Sequence, residues 1–256
     1  MADVVLHQFP FSHFNDKARW ALALKGIAHR RRDYLPGPHI PAIRRLSGQP
    51  QTPVLEWDGR VIAGSAAIID FLEQAVPQPA LYPGDPAARA AALQLARGFD
   101  RDLGPATRAI LFAVLVDEPD YFCALFAAGR PAWQRRLYRR AFPLARPLIA
   151  RGNGIDRPER VAHAQAQATR ILDDIAARSA QRRYLAGDAF SVADLTAAAL
   201  IAPLFEPVVD DMARPRPQPP RMRALLDQWA AHPAVAWAAD LYRDHGGRPV
   251  SGDAPA

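Results

Sequence analysis

The pair Asp58-Gly59, set between Val54-Leu55-Glu56-Trp57 and Arg60-Val61-Ile62, constrains the fold of this chain more than any other feature. A two-residue Asp-Gly loop between apolar runs favours a type I′ turn, because both positions need positive φ. It therefore predicts an antiparallel hairpin. Upstream, Val4-Val5-Leu6 within residues 3–8 reads as a buried strand. A polar turn at residues 12–15 then opens a helix, in which Ala18, Ala21, Leu22 and Lys25 recur at helical spacing until Gly26 stops it. Residues 29–34 read as a second strand, which Arg30-Arg31-Arg32 makes either an edge strand or a poorly buried one. Residues 36–41 are loop, with a short helical piece at 42–46. After the hairpin, Ser65 begins a helix with Ile68, Ile69, Leu72 and Val76 on one side, ending at Pro77.

The resulting order, β-α-β-α-β-β-α, combines a parallel start with a hairpin finish and matches a thioredoxin-like α/β fold. Prolines and glycines at residues 77–86 mark a linker, and beyond it the pattern is helical throughout. Helices are predicted near 87–116, 119–151, 157–180, 192–206, 221–230 and 234–244, with Pro143 and Pro147 kinking or interrupting the second. Residues 214–220, with four prolines, read as loop. The expected organisation is an α/β domain over 1–78, a linker at 79–86, an all-α domain over 87–247 and a disordered tail at 248–256.

Composition narrows the class. With 50% apolar residues, 23% charged and 256 in all, the chain can bury two cores. It has neither an apolar run long enough to span a bilayer nor an export leader, so a cytoplasmic protein without a membrane partner is expected. The single cysteine, Cys123, excludes an internal disulfide and reads as a small packed hydrophobe. The net charge of +6 is carried almost wholly by arginine, with clusters at Arg30-Arg31-Arg32 and at Arg135, Arg136, Arg139 and Arg140. Without any nucleic-acid motif these read as solvated faces, and no nucleic-acid partner is expected. His7, His13 and His39 lack metal-ligand spacing, so no metal is assigned.

Two helix starts carry the chemistry. Ser12 lies between the first strand and the first helix, where N–H groups are unpaired and the helix dipole is positive. Its hydroxyl serves either as an ordinary N-cap or as a donor to a ligand thiolate. Ser65 likewise opens a helix that can cap itself or hold a carboxylate. Further along, Ser191 and Asp194 in Gly187-Asp188-Ala189-Phe190-Ser191-Val192-Ala193-Asp194 read as a structural capping pair.

Phe11-Ser12 followed by Lys17-Ala18-Arg19, then Gln51-Thr52-Pro53 and Gly64-Ser65, resembles the serine-type glutathione transferases, and the Ser191–Asp194 segment resembles that family's C-terminal capping motif. The resemblance implies a thioredoxin-like domain followed by a helical domain. It implies that Ser12 is the catalytic residue that stabilises the glutathione thiolate, and serine there argues against the thiol exchange of cysteine-bearing relatives. It implies that Thr52-Pro53 is a cis-proline edge presenting Thr52's backbone to glutathione, that Gln51 reaches the glycyl end, and that Gly64 and Ser65 hold the γ-glutamyl carboxylate. Gly64 stands where the family commonly has glutamate or glutamine.

The expected function is therefore a homodimeric glutathione transferase, with glutathione as co-substrate, whose thiolate attacks a small apolar electrophile. Phe14, Phe112 and Tyr121 are candidates for the acceptor pocket, with core packing as the competing assignment. His13 is expected to be exposed or capping. The alternative is a non-catalytic binding or scaffold protein that kept the fold, the reading to which Gly64 points.

Overall fold

A computed structural model describes residues 2–246, and the expected tail at 248–256 lies outside them. The first part runs β1 (Val4–Gln8), α1 (His13–Leu24), β2 (Arg30–Asp33), α2 (Ile40–Ser47), β3 (Val54–Trp57), β4 (Arg60–Ala63) and α3 (Ser65–Ala75). The strands form one sheet in the order β2-β1-β3-β4. β1 pairs parallel with β2 and antiparallel with β3, and β3 pairs antiparallel with β4 through the Asp58-Gly59 turn. Both turn residues have positive φ, +47° and +82°, as the type I′ geometry requires. The basic strand β2 sits at the edge, where Arg30 pairs with Asp3 and Arg31 with Asp211.

Leu6, Leu55 and Ile62 of the sheet meet Ala18, Ala21 and Leu22 of α1 and Ile68, Ile69 and Leu72 of α3 in a buried layer. Beyond it the described chain is helical: α4 (Pro86–Gly98), a π-helical turn (Phe99–Leu103), α5 (Gly104–Leu115), α6 (Pro119–Phe126), α7 (Ala132–Gly152), α8 (Pro158–Gln181), α9 (Val192–Ile201), α10 (Pro220–Ala230) and α11 (Pro233–His245). Every residue of α9 is buried, so this helix forms the axis of the helical half.

Three expectations are corrected by the fold. The helix placed at 119–151 is two helices, because Gly129 takes a φ of +73° and Pro131 begins α7 from an extended conformation. Pro143 and Pro147 do not interrupt α7, which continues through both; each lies on its solvent side, where the carbonyls they leave unpaired can face water. The helix at 87–116 contains a π-helical turn, in which one extra residue re-aims the helix C-terminal to it.

Candidate active site

α1 is an unusual helix: His13, Asn15, Asp16, Lys17 and Arg19 are all buried, although a polar helix start ordinarily faces water. The reason lies in the helical half. Lys17, 1% exposed, donates to both carboxylate oxygens of Asp100 at 2.8 and 2.7 Å, and Asp100 belongs to the π-helical turn. Asp16 accepts from the Tyr242 hydroxyl at 2.5 Å and from Arg19 at 3.0 Å. Arg19 also donates to the Gln8 side chain at 2.8 Å, fixing the end of β1. Ionic and polar bonds thus hold the β1–α1 junction against the second half of the chain.

His13 departs from expectation. It is buried, and its Nε2 lies 3.0 Å from the Gly104 carbonyl. Desolvation, with the charge of Arg108 adding to it, pushes its pKa down to about 3, so the ring is neutral near pH 7. A neutral ring donates to the carbonyl as its Nε2 tautomer. Phe14 packs beside it, and Gly104 is required there: a Cβ on Gly104 would come 2.4 Å from the Phe14 ring.

Ser12 is the N-cap of α1 in an extended conformation, φ −158° and ψ 122°, but its side chain makes no capping bond. The hydroxyl has no protein partner among the described residues, and the residue is only partly buried. Asn15, one turn into the helix, donates to the Thr52 hydroxyl at 3.1 Å, which brings the start of α1 beside the second candidate segment. The Thr52-Pro53 bond is cis, and the Thr52 backbone makes no hydrogen bond among the described residues. The Gly64 N–H donates to the Pro53 carbonyl at 2.9 Å, joining that segment to the start of α3. Ser12, Thr52, Pro53, Gly64 and Ser65 are therefore linked through Asn15 and the 53–64 backbone bond.

Gly64 has a φ of +93°, a conformation that side-chain-bearing residues rarely adopt, with open space where a Cβ would project. The backbone itself favours glycine here. Ser65 is the first residue of α3 and is 5% exposed, and no side chain among the described residues caps this helix. Its first N–H groups and the Ser65 hydroxyl are available to a carboxylate. Gln51 is exposed and held by its own backbone, which exchanges bonds with the Gln49 side chain at 2.7 Å each, leaving the Gln51 amide unengaged among the described residues.

The acceptor-pocket candidates separate. Phe14 is wedged between the halves, against Gly104. Phe112 joins a ring cluster with Phe122 and Phe126, and Phe126 stands 6.2 Å edge-to-face from Phe11, next to Ser12. Tyr121 is 6% exposed, with a hydroxyl that has no partner among the described residues. Arg214 lies over the Phe11 ring at 5.4 Å and donates to the Pro203 carbonyl at 2.8 Å, and burial pushes its pKa down to about 10. Cys123 is packed, its thiol pushed up to about 11 by desolvation, which leaves it unreactive near pH 7.

Arg108 escapes the sequence analysis. It lies on α5 one turn after Gly104 and one turn before Phe112, so the three share a face turned toward the β1–α1 junction. Its Nε is buried without a partner, and no carboxylate pairs with it among the described residues. Desolvation holds the guanidinium below its ordinary value, yet it stays cationic. The i, i+4, i+8 spacing of Gly104, Arg108 and Phe112 is the one signal of it in the sequence. No group of three His, Cys, Asp or Glu side chains that could hold a metal occurs among the described residues.

Known proteins share this architecture. Residues 6–80 match the glutathione S-transferase N-terminal domain and residues 133–233 the glutathione S-transferase C-terminal domain. The chain belongs to the glutathione S-transferase family. It is similar to maleylacetoacetate isomerase from Pseudomonas aeruginosa, 41% identical over 29% of this chain and 38% of that protein. It is also similar to a probable glutathione S-transferase from Nicotiana tabacum, 30% identical over 43% of this chain and 48% of that one. The matches thus span less than half of these relatives' own length. Among solved structures, the theta class glutathione S-transferase from Xanthomonas axonopodis pv. citri with glutathione bound shares the fold at a TM-score of 0.57, with 22% identity over 93% of this chain and 98% of that one.

Proposed function

We propose that the chain is a glutathione transferase in which the Ser12 hydroxyl donates to the glutathione sulfur and holds it as the thiolate. The observation that carries this reading is the unengaged hydroxyl at the N-cap of a helix whose other early polar side chains are buried and bonded. A thiol is a few per cent ionised near pH 7. A donor plus the helix dipole that lower its pKa by about two units supply roughly 2.7 kcal/mol. Glutathione, the ligand bound in the Xanthomonas neighbour, would lay its cysteinyl backbone along Thr52. Its γ-glutamyl carboxylate would meet the start of α3 at Ser65, with the Gly64 backbone shaping the approach, and its glycyl end would reach Gln51. We take the working form to be a cytoplasmic homodimer.

The acceptor side combines the ring of Phe112, joined to Phe11 through Phe126, and the candidate ring of Tyr121 with the cation of Arg108, unpaired among the described residues. That cation favours an electrophile with an apolar body and an anionic group, over a wholly apolar one. Maleylacetoacetate isomerase, one of the relatives, bears a name that denotes a carboxylated substrate, which agrees with this second reading.

The test is retention on immobilised glutathione followed by conjugation kinetics. Wild type is retained, and Ser12→Ala loses about 100-fold in kcat/KM. Absence of retention, with no Ser12-dependent rate, favours the scaffold alternative. Arg108→Leu should raise KM for a carboxylated electrophile about ten-fold or more while leaving an uncharged one unchanged.

A further inference from the structure

α7 differs from every other helix in how little of it is covered: across Ala132–Gly152 only Phe142 is buried. Trp133, Leu137, Leu144 and Leu148 are 64%, 61%, 83% and 73% exposed. At 100° per residue these four fall within an arc of about 60°, and from Trp133 to Leu148 they span about 22 Å. The opposite face is tied down: Tyr138 donates to the Pro36 carbonyl at 3.0 Å, Arg139 to Asp120 at 2.5 Å and Arg146 to Asp117 at 2.7 Å. The apolar ridge is therefore held pointing away from the protein.

Its charge is as one-sided as its burial. α7 carries Arg135, Arg136, Arg139, Arg140, Arg146 and Arg151 and no acidic residue. The chain's net charge is +6, so the rest of the sequence holds as many acidic as basic side chains. Arg136, Arg140 and Arg151 lie along one border of the ridge and have no carboxylate partner among the described residues.

We propose that the outward face of α7 docks the protein on an anionic lipid surface. A convex ridge of tryptophan and leucines bordered by unpaired arginines has the composition of a helix lying in a bilayer interface. Its apolar side chains sink to the acyl boundary, while the arginine stems reach back to lipid phosphates and carboxylates. No helix among the described residues is long and apolar enough to cross a membrane, so the contact is peripheral. The proposal departs from the sequence-based expectation of no membrane partner. A second copy of the chain suits the face poorly, since two such helices would bring arginines together without a carboxylate between them.

Co-sedimentation of the full chain with vesicles tests this. Wild type should pellet with phosphatidylcholine vesicles containing roughly 30% phosphatidylserine and not with phosphatidylcholine alone, and high salt should release it. Leu144→Asp with Leu148→Asp, and separately Arg136→Glu with Arg140→Glu, should each weaken binding about ten-fold or more with an unchanged circular dichroism spectrum. The proposal is overturned if wild type ignores anionic vesicles, or if binding survives both pairs of substitutions. It is also overturned if the leucine variants change the oligomeric state by light scattering while wild type does not bind vesicles, which would assign the ridge to a contact between copies. Binding to an acidic protein without binding to vesicles counts against it equally.

Discussion

The starts of α1 and α9 place the same residue type at the same position and use it in opposite ways. Ser191 at the N-cap of α9 accepts from the Ala193 N–H at 3.3 Å and donates to Asp194 at 2.7 Å. Asp194 in turn accepts from the N–H groups of Ser191 and Leu185 at 2.9 and 2.7 Å. That start is closed, with its polar groups bonded to one another. Ser12 at the N-cap of α1 has no such partner among the described residues, while the side chains behind it reach across to the helical half. A closed start holds a fold together, and an open one, supported from behind, can hold a ligand.

The contrast breaks most visibly at Lys17. Asp100→Ala leaves the ammonium buried and unpaired, and should cost about 3 kcal/mol by denaturant midpoint, the low end for such pairs because Asp100 is 22% exposed. Adding Lys17→Met should recover much of that loss. If Asp100→Ala proves neutral, the α1 start is not held from the helical half.

His13 gives the next largest effect. Its folded pKa of about 3 lies below the unfolded value of 6.5, so between those values the unfolded chain binds the extra proton. Stability therefore rises with pH through that window and falls as pH drops, with a slope approaching ~1.4 kcal/mol per pH unit from this residue. Urea titrations from pH 4 to 7 should show His13→Gln losing that part of the slope. An unaltered slope would mean that His13 is solvated.

Ser191→Ala should cost about 1 kcal/mol of stability and leave kcat/KM unchanged. Ser12→Ala should do the reverse, with a stability change within about 0.5 kcal/mol, since no capping bond is lost. If both variants lower stability equally, the two starts do not differ in kind.

Much of the closed start is legible in the sequence, because capping is local: Ser191 and Asp194 are three residues apart. The Asp58-Gly59 hairpin, the edge position of β2 and the Ser65 helix start are legible for the same reason. The support behind Ser12 is not. Lys17 and Asp100 are 83 residues apart, and nothing in the spacing of α4 announces the π-helical turn that carries Asp100. The burial of His13, expected to be exposed or capping, arises from the close approach that Gly104 permits, which is a tertiary fact. Gly64 looks in the sequence like a lost side chain, whereas its φ shows a backbone conformation that favours glycine.

In the proposed reaction the Ser12 hydroxyl stabilises the glutathione thiolate. The most direct measurement is a pH titration of the ultraviolet thiolate absorbance of glutathione bound to wild type and to Ser12→Ala. A bound thiol pKa about two units below that of free glutathione is expected in wild type, returning most of the way in the variant. A depressed pKa that is the same in both proteins would contradict the claim.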